Sequence, residues 1–242
     1  MADPVPILAF DELDSTNAEA RRRAEAGEGG PLWITSARQT AGRGRRGRGW
    51  ETGAGNLAAT HLFLTARAPA EAAQVSFVAA LAAADLAAAF VPSALITLKW
   101  PNDPMIAGRK TAGILVESGA AAGGLWVAVG MGVNLATPPA ASERPATAFA
   151  EHMTAPPPKP TEALATLVER FAVWRALWER SGFAPIAEAW TSRAHGLGER
   201  CVARLPAETV EGVAEGLDAT GALRLRTVDG KVRLITAGDV FF

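Results

Sequence analysis

The sequence predicts an α/β domain followed by a small all-β unit. Three observations carry that reading. Near-continuous apolar runs at "ALITLKW" (94–100), "KTAGILVES" (110–118) and "LWVAVGMGVNL" (125–135) have the pattern of strands in a sheet covered by helices. Two long segments of high helix propensity, 70–90 and 161–183, would supply the cover. From Gly198 onward the chain turns to short strand-like runs broken by turn residues, as in a small β-barrel. The expected division is 1–195 and 196–242.

The elements follow in chain order. "DSTNAEARRRAEA" (14–26) opens like a helix: Thr16 with Glu19 fits a capping box, and Gly27 sits where a C-terminal cap belongs. "PLWITSA" (31–37) and "NLAATHLFLTA" (56–66) read as strands. Between them lies "TAGRGRRGRGW" (40–50), whose glycine density forbids a stable helix and indicates a loop. After the helix at 70–90, the strand at 94–100 ends at Pro101, and "NDPMIAGR" bridges it to the next. Residues 136–160 are proline-rich without clear periodicity and read as a loop or partly disordered cover. The helix at 161–183 gathers Leu164, Leu167, Val168, Phe171, Trp174, Leu177 and Trp178 on one broad face. A shorter helix is expected near 185–194, then strands at "RCVARLP", "VEGVAEGLD", "ALRLRTV" and "KVRLITAG", with "DG" (229–230) as a hairpin turn.

Composition narrows the class. With 49% apolar and 20% charged residues the chain is an ordinary globular protein, and its net charge of −1 argues against a dedicated nucleic-acid binder. The lone Cys201 cannot form an internal disulfide, which fits a reducing compartment such as the cytoplasm. "MADPVPIL" lacks the basic and apolar regions of a signal peptide, and the most apolar stretch carries Asp85 in its middle, so no membrane association is expected. The histidines, His61, His152 and His195, have no metal-ligand spacing.

The chemistry concentrates in the loop. Four arginines (Arg43, Arg45, Arg46, Arg48) alternate with Gly42, Gly44, Gly47 and Gly49. Arginine grips phosphate and carboxylate bidentately, and glycine lets backbone N–H groups approach an anion. A solvated charged loop or an Arg/Gly RNA-binding tract would share the composition, but such tracts recur in long arrays, whereas this one occurs once between two strands. A second cluster supports it. "KWPNDPMIAGRKTAGILVE" (99–117) places Asn102 and Asp103 at the end of one strand and Lys110 at the start of the next, and ligands gather at strand ends. Asp103 would hold Mg²⁺ or orient an amine. "GMGVNL" (130–135) ends a further strand at Asn134.

The ordered set "DSTN" (14–17), "QTAGRGRRGRGW" (39–50), "KWPND" (99–103), "GRKTAGILVE" (108–117) and "GMGVNL" (130–135) resembles biotin protein ligase over nearly the whole chain. The resemblance implies a catalytic domain with a central mixed sheet flanked by helices, and a C-terminal SH3-like barrel. It implies that biotin and ATP form biotinyl-5′-AMP, with Mg²⁺, and that biotin then passes to a lysine of a biotin carboxyl carrier protein of acetyl-CoA carboxylase. Carried onto these positions, Ser15, Thr16, Asn17, Gln39, Gly42, Arg43 and Gly44 line the biotin pocket, with Thr16 near the ureido ring. Lys110 meets the biotin carboxylate, and Gly113, Leu115 and Gly130 complete the floor. Arg45 and Arg46 belong to the closing loop, Arg48 and Trp50 lie beside the nucleotide, and Asn102 and Asn134 face it. Asp103, Arg45 and Lys110 form the catalytic set. Pro104 and Thr111 depart from the family pattern, which affects local loop shape. A homodimer through a sheet edge is expected from the family. Because "DSTN" begins at residue 14, no DNA-binding domain is expected ahead of it. A lipoate or octanoate transferase of related fold would share Lys110 but not "GRGRRGRGW".

Overall fold

The computed structural model of the chain describes residues 5–140 and 145–242. The "MADP" start and residues 141–144 of the proline-rich segment, both read above, lie outside the described residues. Eighteen strands and helices follow in order: β1 (Ile7–Leu13), α1 (Thr16–Glu25), β2 (Leu32–Gln39), β3 (Leu57–Thr65), α2 (Pro69–Ala72), α3 (Val75–Ala88), β4 (Ile96–Lys99), β5 (Asp103–Ile106), β6 (Arg109–Lys110), β7 (Ala112–Ala121), β8 (Gly124–Val133), α4 (Pro160–Ser181), α5 (Ala184–Thr191), β9 (Arg200–Arg204), β10 (Thr209–Leu217), β11 (Leu223–Arg226), β12 (Val232–Ile235) and β13 (Asp239–Phe241).

The central sheet has the order β1-β2-β3-β8-β7. The β1–β2 pair is parallel, with α1 as its crossover, and the other pairs are antiparallel. The sheet is therefore mixed, as expected. α3 is apolar apart from Ser76 and Asp85, with Val75, Val78, Leu81 and Leu86 fully enclosed, so it is a core helix between the sheet and α4. Pro69–Ala88 is long and apolar enough to cross a membrane, but 67% of that window is buried inside the protein. α4 turns Leu164, Leu167, Phe171 and Trp178 into the same core.

Several boundaries differ from expectation. The helix at 70–90 is two helices, broken at Ala73–Gln74. The cap of α1 is Ser15, whose Oγ accepts from the Ala18 N–H; Glu19 instead pairs with Arg22 and Arg23. The bridge after Pro101 is itself a strand: β4, β5 and β6 form a separate three-stranded sheet. Asp103 thus opens β5 instead of closing a strand, and Lys110 ends the two-residue β6, with Thr111 alone between it and β7. The proline-rich cover is partly built in, since Phe149 is fully buried and Lys110 bridges Ala146.

The C-terminal strands form an open antiparallel sheet, β12-β11-β10-β9-β13, compatible with an SH3-like unit that does not close. Gly230 takes φ 79 in the β11–β12 turn, as the "DG" signal requires. Cys201, Ala203 and Leu223 join the core that holds α3 and α4. Trp100 also donates its indole N–H to the Gly221 carbonyl at 3.0 Å. The β unit is anchored to the larger one.

Candidate active site

A cavity of about 770 Å³ opens between the N-terminus of α1, the arginine loop, and the floor of β7 and β8. Its two ends differ in chemistry. One is lined mainly by neutral polar groups, with Arg43 and Glu117 paired beside them; the other is cationic.

The polar end begins at α1. Ser15, Thr16 and Asn17 are all buried, and all line the cavity. Gln39, at the end of β2, accepts the Thr16 N–H at 2.8 Å and donates to Thr52 Oγ1 at 3.0 Å. Gly130 on β8 has a specific reason to lack a side chain: a Cβ there would stand 2.0 Å from Asn17 Oδ1. Gly42 is constrained in the same way, since its Cβ would lie 2.2 Å from the Trp50 carbonyl.

The floor is a row of small residues. Ala58, Gly132 and Gly113 are register partners on β3, β8 and β7. The Trp50 indole lies on them. A Cβ on Gly113 would come within 2.5 Å of the ring, and one on Gly132 within 2.2 Å.

The cationic end joins three strands and the loop. Asp103 is buried and hydrogen-bonded to Lys110 Nζ, with Lys99 Nζ 3.6 Å away. Burial alone would raise the Asp103 carboxyl, but Lys110, then Lys99 and Arg45, outweigh it and hold the group below the ordinary carboxylate value. Burial lowers the Arg45 guanidinium, opposed by Asp103 and Asp239, and a guanidinium stays charged in any case. Arg45 donates to Asn102 Oδ1 at 2.7 Å and to the Gly238 carbonyl at 3.3 Å.

The arginine loop is ordered by its own bonds. Arg45–Gly47 make one 3₁₀ turn with Arg46 at φ 59. Arg43 bridges Gly49, and Gly44 and Trp50 donate to Arg48 and Gly42 at 2.7 and 2.9 Å. Asp239 of β13 pairs with both Arg46 (3.0 Å) and Arg48 (3.3 Å). The loop is thus docked on the C-terminal sheet.

Most sequence-selected positions converge here. Ser15, Thr16, Asn17, Gln39, Gly42, Arg43, Gly44, Arg45, Arg48, Trp50, Asp103, Lys110, Gly113, Leu115 and Gly130 line the cavity. Arg46, Asn102 and Asn134 lie outside its wall. Arg46 faces Asp239 and Asn102 carries Arg45, while the buried Asn134 donates to the Thr147 carbonyl at 3.1 Å and so fixes the 145–149 segment.

Residues 9–134 match the "Biotin/lipoate A/B protein ligase family" and residues 196–242 the "Biotin protein ligase C terminal domain". The chain belongs to the biotin protein ligase family. It is similar to a biotin–[acetyl-CoA-carboxylase] ligase of Paracoccus denitrificans, 45% identical over 95% of this chain and 97% of that protein. A ligase of the same description from Mycobacterium tuberculosis is 33% identical over 95% of this chain and 86% of its own length. Among solved structures, the biotin protein ligase of Aquifex aeolicus in complex with biotin and ATP matches with TM-score 0.80 at 23% identity, over 98% of this chain and 97% of that one. That likeness speaks to the fold.

Thr60, Glu117 and Asp239 were not selected from the sequence, although the structure ties them to the site. Glu117 stands in the sequence as the lone acid closing the apolar run "GILVE". A charged residue ending such a run is a usable signal.

Proposed function

We propose that the cavity of this biotin protein ligase-family chain joins biotin to AMP and then passes biotin to a lysine of an acetyl-CoA carboxylase carrier protein. The observation that carries this is the polarity of the cavity. An uncharged hydrogen-bonding pocket at Thr16, Asn17 and Gln39 leads along a small-residue floor to Lys110 and the arginine loop. That arrangement suits a ligand with a neutral polar head, an apolar body and a terminal carboxylate.

In the first step a carboxylate oxygen attacks the α-phosphorus of ATP. The new C–O–P bond forms, the α–β P–O bond breaks, and pyrophosphate leaves with the bonding electrons. Two anions must approach each other, and Lys110 and Arg45 would offset that repulsion in a partly enclosed site. In the second step the neutral amine of the carrier lysine attacks the acyl carbon. An amide forms, AMP leaves, and the amine nitrogen gives up its proton. Asp103 is a weak base here, because Lys110 and Lys99 already hold its carboxylate; it orients Lys110 instead.

The Mg²⁺ expected at Asp103 does not fit these residues. Both carboxylate oxygens face lysines, and among the described residues no three His, Cys, Asp or Glu side chains converge. No protein ligand is assigned to it. The exposed edges β1 and β7 of the central sheet are where a second copy would add.

ATP–pyrophosphate exchange tests the reading. Exchange should depend on biotin and not on lipoate or octanoate. Exchange driven by lipoate or octanoate alone would move the chain to the lipoate-type branch of the family.

A further inference from the structure

Behind the polar end of the cavity runs a chain of hydrogen bonds whose proton directions follow from counting donors and acceptors. Asn17 Nδ2 faces two acceptors, the Leu115 carbonyl at 3.2 Å and the Glu117 carboxylate at 2.9 Å. Glu117 in turn lies 3.7 Å from Arg43 Nη2. The Asn17 amide is therefore held with its nitrogen toward β7 and its oxygen toward Thr60. Thr60 is fully buried, with its Oγ1 2.7 Å from Asn17 Oδ1 and 2.8 Å from Thr16 Oγ1.

Thr60 has one hydroxyl proton. Asn17 Oδ1 is an acceptor only, and two oxygens 2.7 Å apart without a proton between them would repel. The Thr60 proton therefore goes to Asn17. The Thr16–Thr60 contact then needs a proton from Thr16. Gln39 Oε1, which accepts the Thr16 backbone N–H at 2.8 Å, is a second, longer acceptor for the Thr16 hydroxyl at 3.2 Å, and it too draws the proton inward. With its proton committed inward, Thr16 has only lone pairs left to offer the cavity.

On the reading of this cavity as a biotin site, we infer that Thr60 is a positioning residue. Through Asn17, anchored by Glu117, it fixes the Thr16 hydroxyl as an acceptor for a ring N–H of the ureido head. The chain selects a donor at that point of the ligand and rejects an ether oxygen there, since two lone pairs would meet. Thr60 never touches the ligand.

The experiment compares binding of biotin with binding of two analogues, each having one ring N–H replaced by oxygen, by calorimetry. The proteins are wild type, Thr60→Val, Thr60→Ser and Glu117→Leu, each checked by thermal melting. In the wild type, one analogue should bind about tenfold or more weakly than biotin, the loss expected for an unmade buried hydrogen bond. In Thr60→Val the Thr16 hydroxyl loses its nearer inward partner and keeps only Gln39 Oε1 at 3.2 Å, so it can turn outward to donate and that penalty should shrink to about twofold. KM for biotin should rise more than kcat falls. Thr60→Ser, which keeps the hydroxyl, should restore the wild-type penalty. Glu117→Leu should shift the penalty in the same direction by a smaller factor, and it serves if Thr60→Val does not fold. An unchanged penalty in the folded valine variant overturns the inference, as does an unchanged penalty in Glu117→Leu where the valine variant is unfolded. Failure of the wild type to bind biotin would overturn the biotin reading itself, and the two failures are distinguishable.

Discussion

Replacing Asp239 by asparagine would keep the shape of β13 and remove the charge that holds the arginine loop. The effect can be bounded from the geometry. Asp239 pairs with Arg46 and Arg48, whose side chains are 40% and 39% exposed. Exposed pairs contribute about 0.2–1 kcal/mol each, so losing both costs about 1 kcal/mol. Since 1.4 kcal/mol is tenfold, the loop-opening equilibrium should shift by about fivefold. The bonds of Arg45 to Asn102 and to the Gly238 carbonyl survive the substitution, which limits the change. The readout is amide exchange at Gly44, Arg48 and Trp50, whose N–H groups bond within the loop. Exchange at these three should quicken by about fivefold, while amides of β9 and β10 keep their rates. High salt should move the wild type in the same direction, because exposed pairs are screened. Unchanged loop exchange in the folded variant would refute the latch. Acceleration that spreads through β9 and β10 would mean the C-terminal sheet had loosened instead.

Three further outcomes are expected. Lys110→Gln keeps a donor to Asp103 but removes the charge; pyrophosphate exchange should fall by about 100-fold or more, as for loss of one transition-state donor, with little change in melting. Gly132→Ala places a Cβ 2.2 Å from Trp50 Nε1, so the indole must leave the floor; fluorine NMR of 5-fluorotryptophan-labelled protein should show one resonance displaced, and an unmoved spectrum would contradict the packing. His61 is held neutral by burial and then by Arg175, with its pKa pushed down to about 3 from 6.5. The unfolded chain binds the extra proton, so this contribution is full above 6.5 and is lost as pH falls toward 3. Between pH 6.5 and 5 the wild type should lose about 1.5–2 kcal/mol more than His61→Gln by urea unfolding; equal losses would show that His61 titrates normally.

What the sequence revealed follows physical lines. The buried strands were legible as continuous apolar runs, and α4 through the helical spacing of the apolar residues on its one buried face. β1 was not, because "ILAFDEL" lies at the sheet edge with one face exposed and the other only half-buried, and it carries two acids. The position of Lys110 was misjudged because β5 and β6 are too short to show a period. The arginine loop and Thr16 stood out through local composition. Thr60 did not, since a threonine in an apolar strand looks like any other until its neighbours on α1 are known. Asp239 is separated by 191 residues from Arg48, a distance over which no local pattern informs. The C-terminal sequence carries a basic set, Arg224, Arg226, Lys231 and Arg233. The structure pairs them within the sheet: Arg224 and Arg226 with Glu215, Lys231 with Asp229, and Arg233 with Glu208. Their charge is already answered.

The tether between Asp239 and the arginine loop also limits how such proteins can be recombined. The two stretches that match separate family descriptions, 9–134 and 196–242, look exchangeable as cassettes. They are not independent if a side chain of the second sets the resting position of a loop in the first. A chimera with a foreign C-terminal sheet would retain every residue that lines the cavity except that acid. Its loop would keep its internal bonds and the Arg45–Asn102 contact but lose its hold on the second unit, and grafting back a single aspartate should restore that hold.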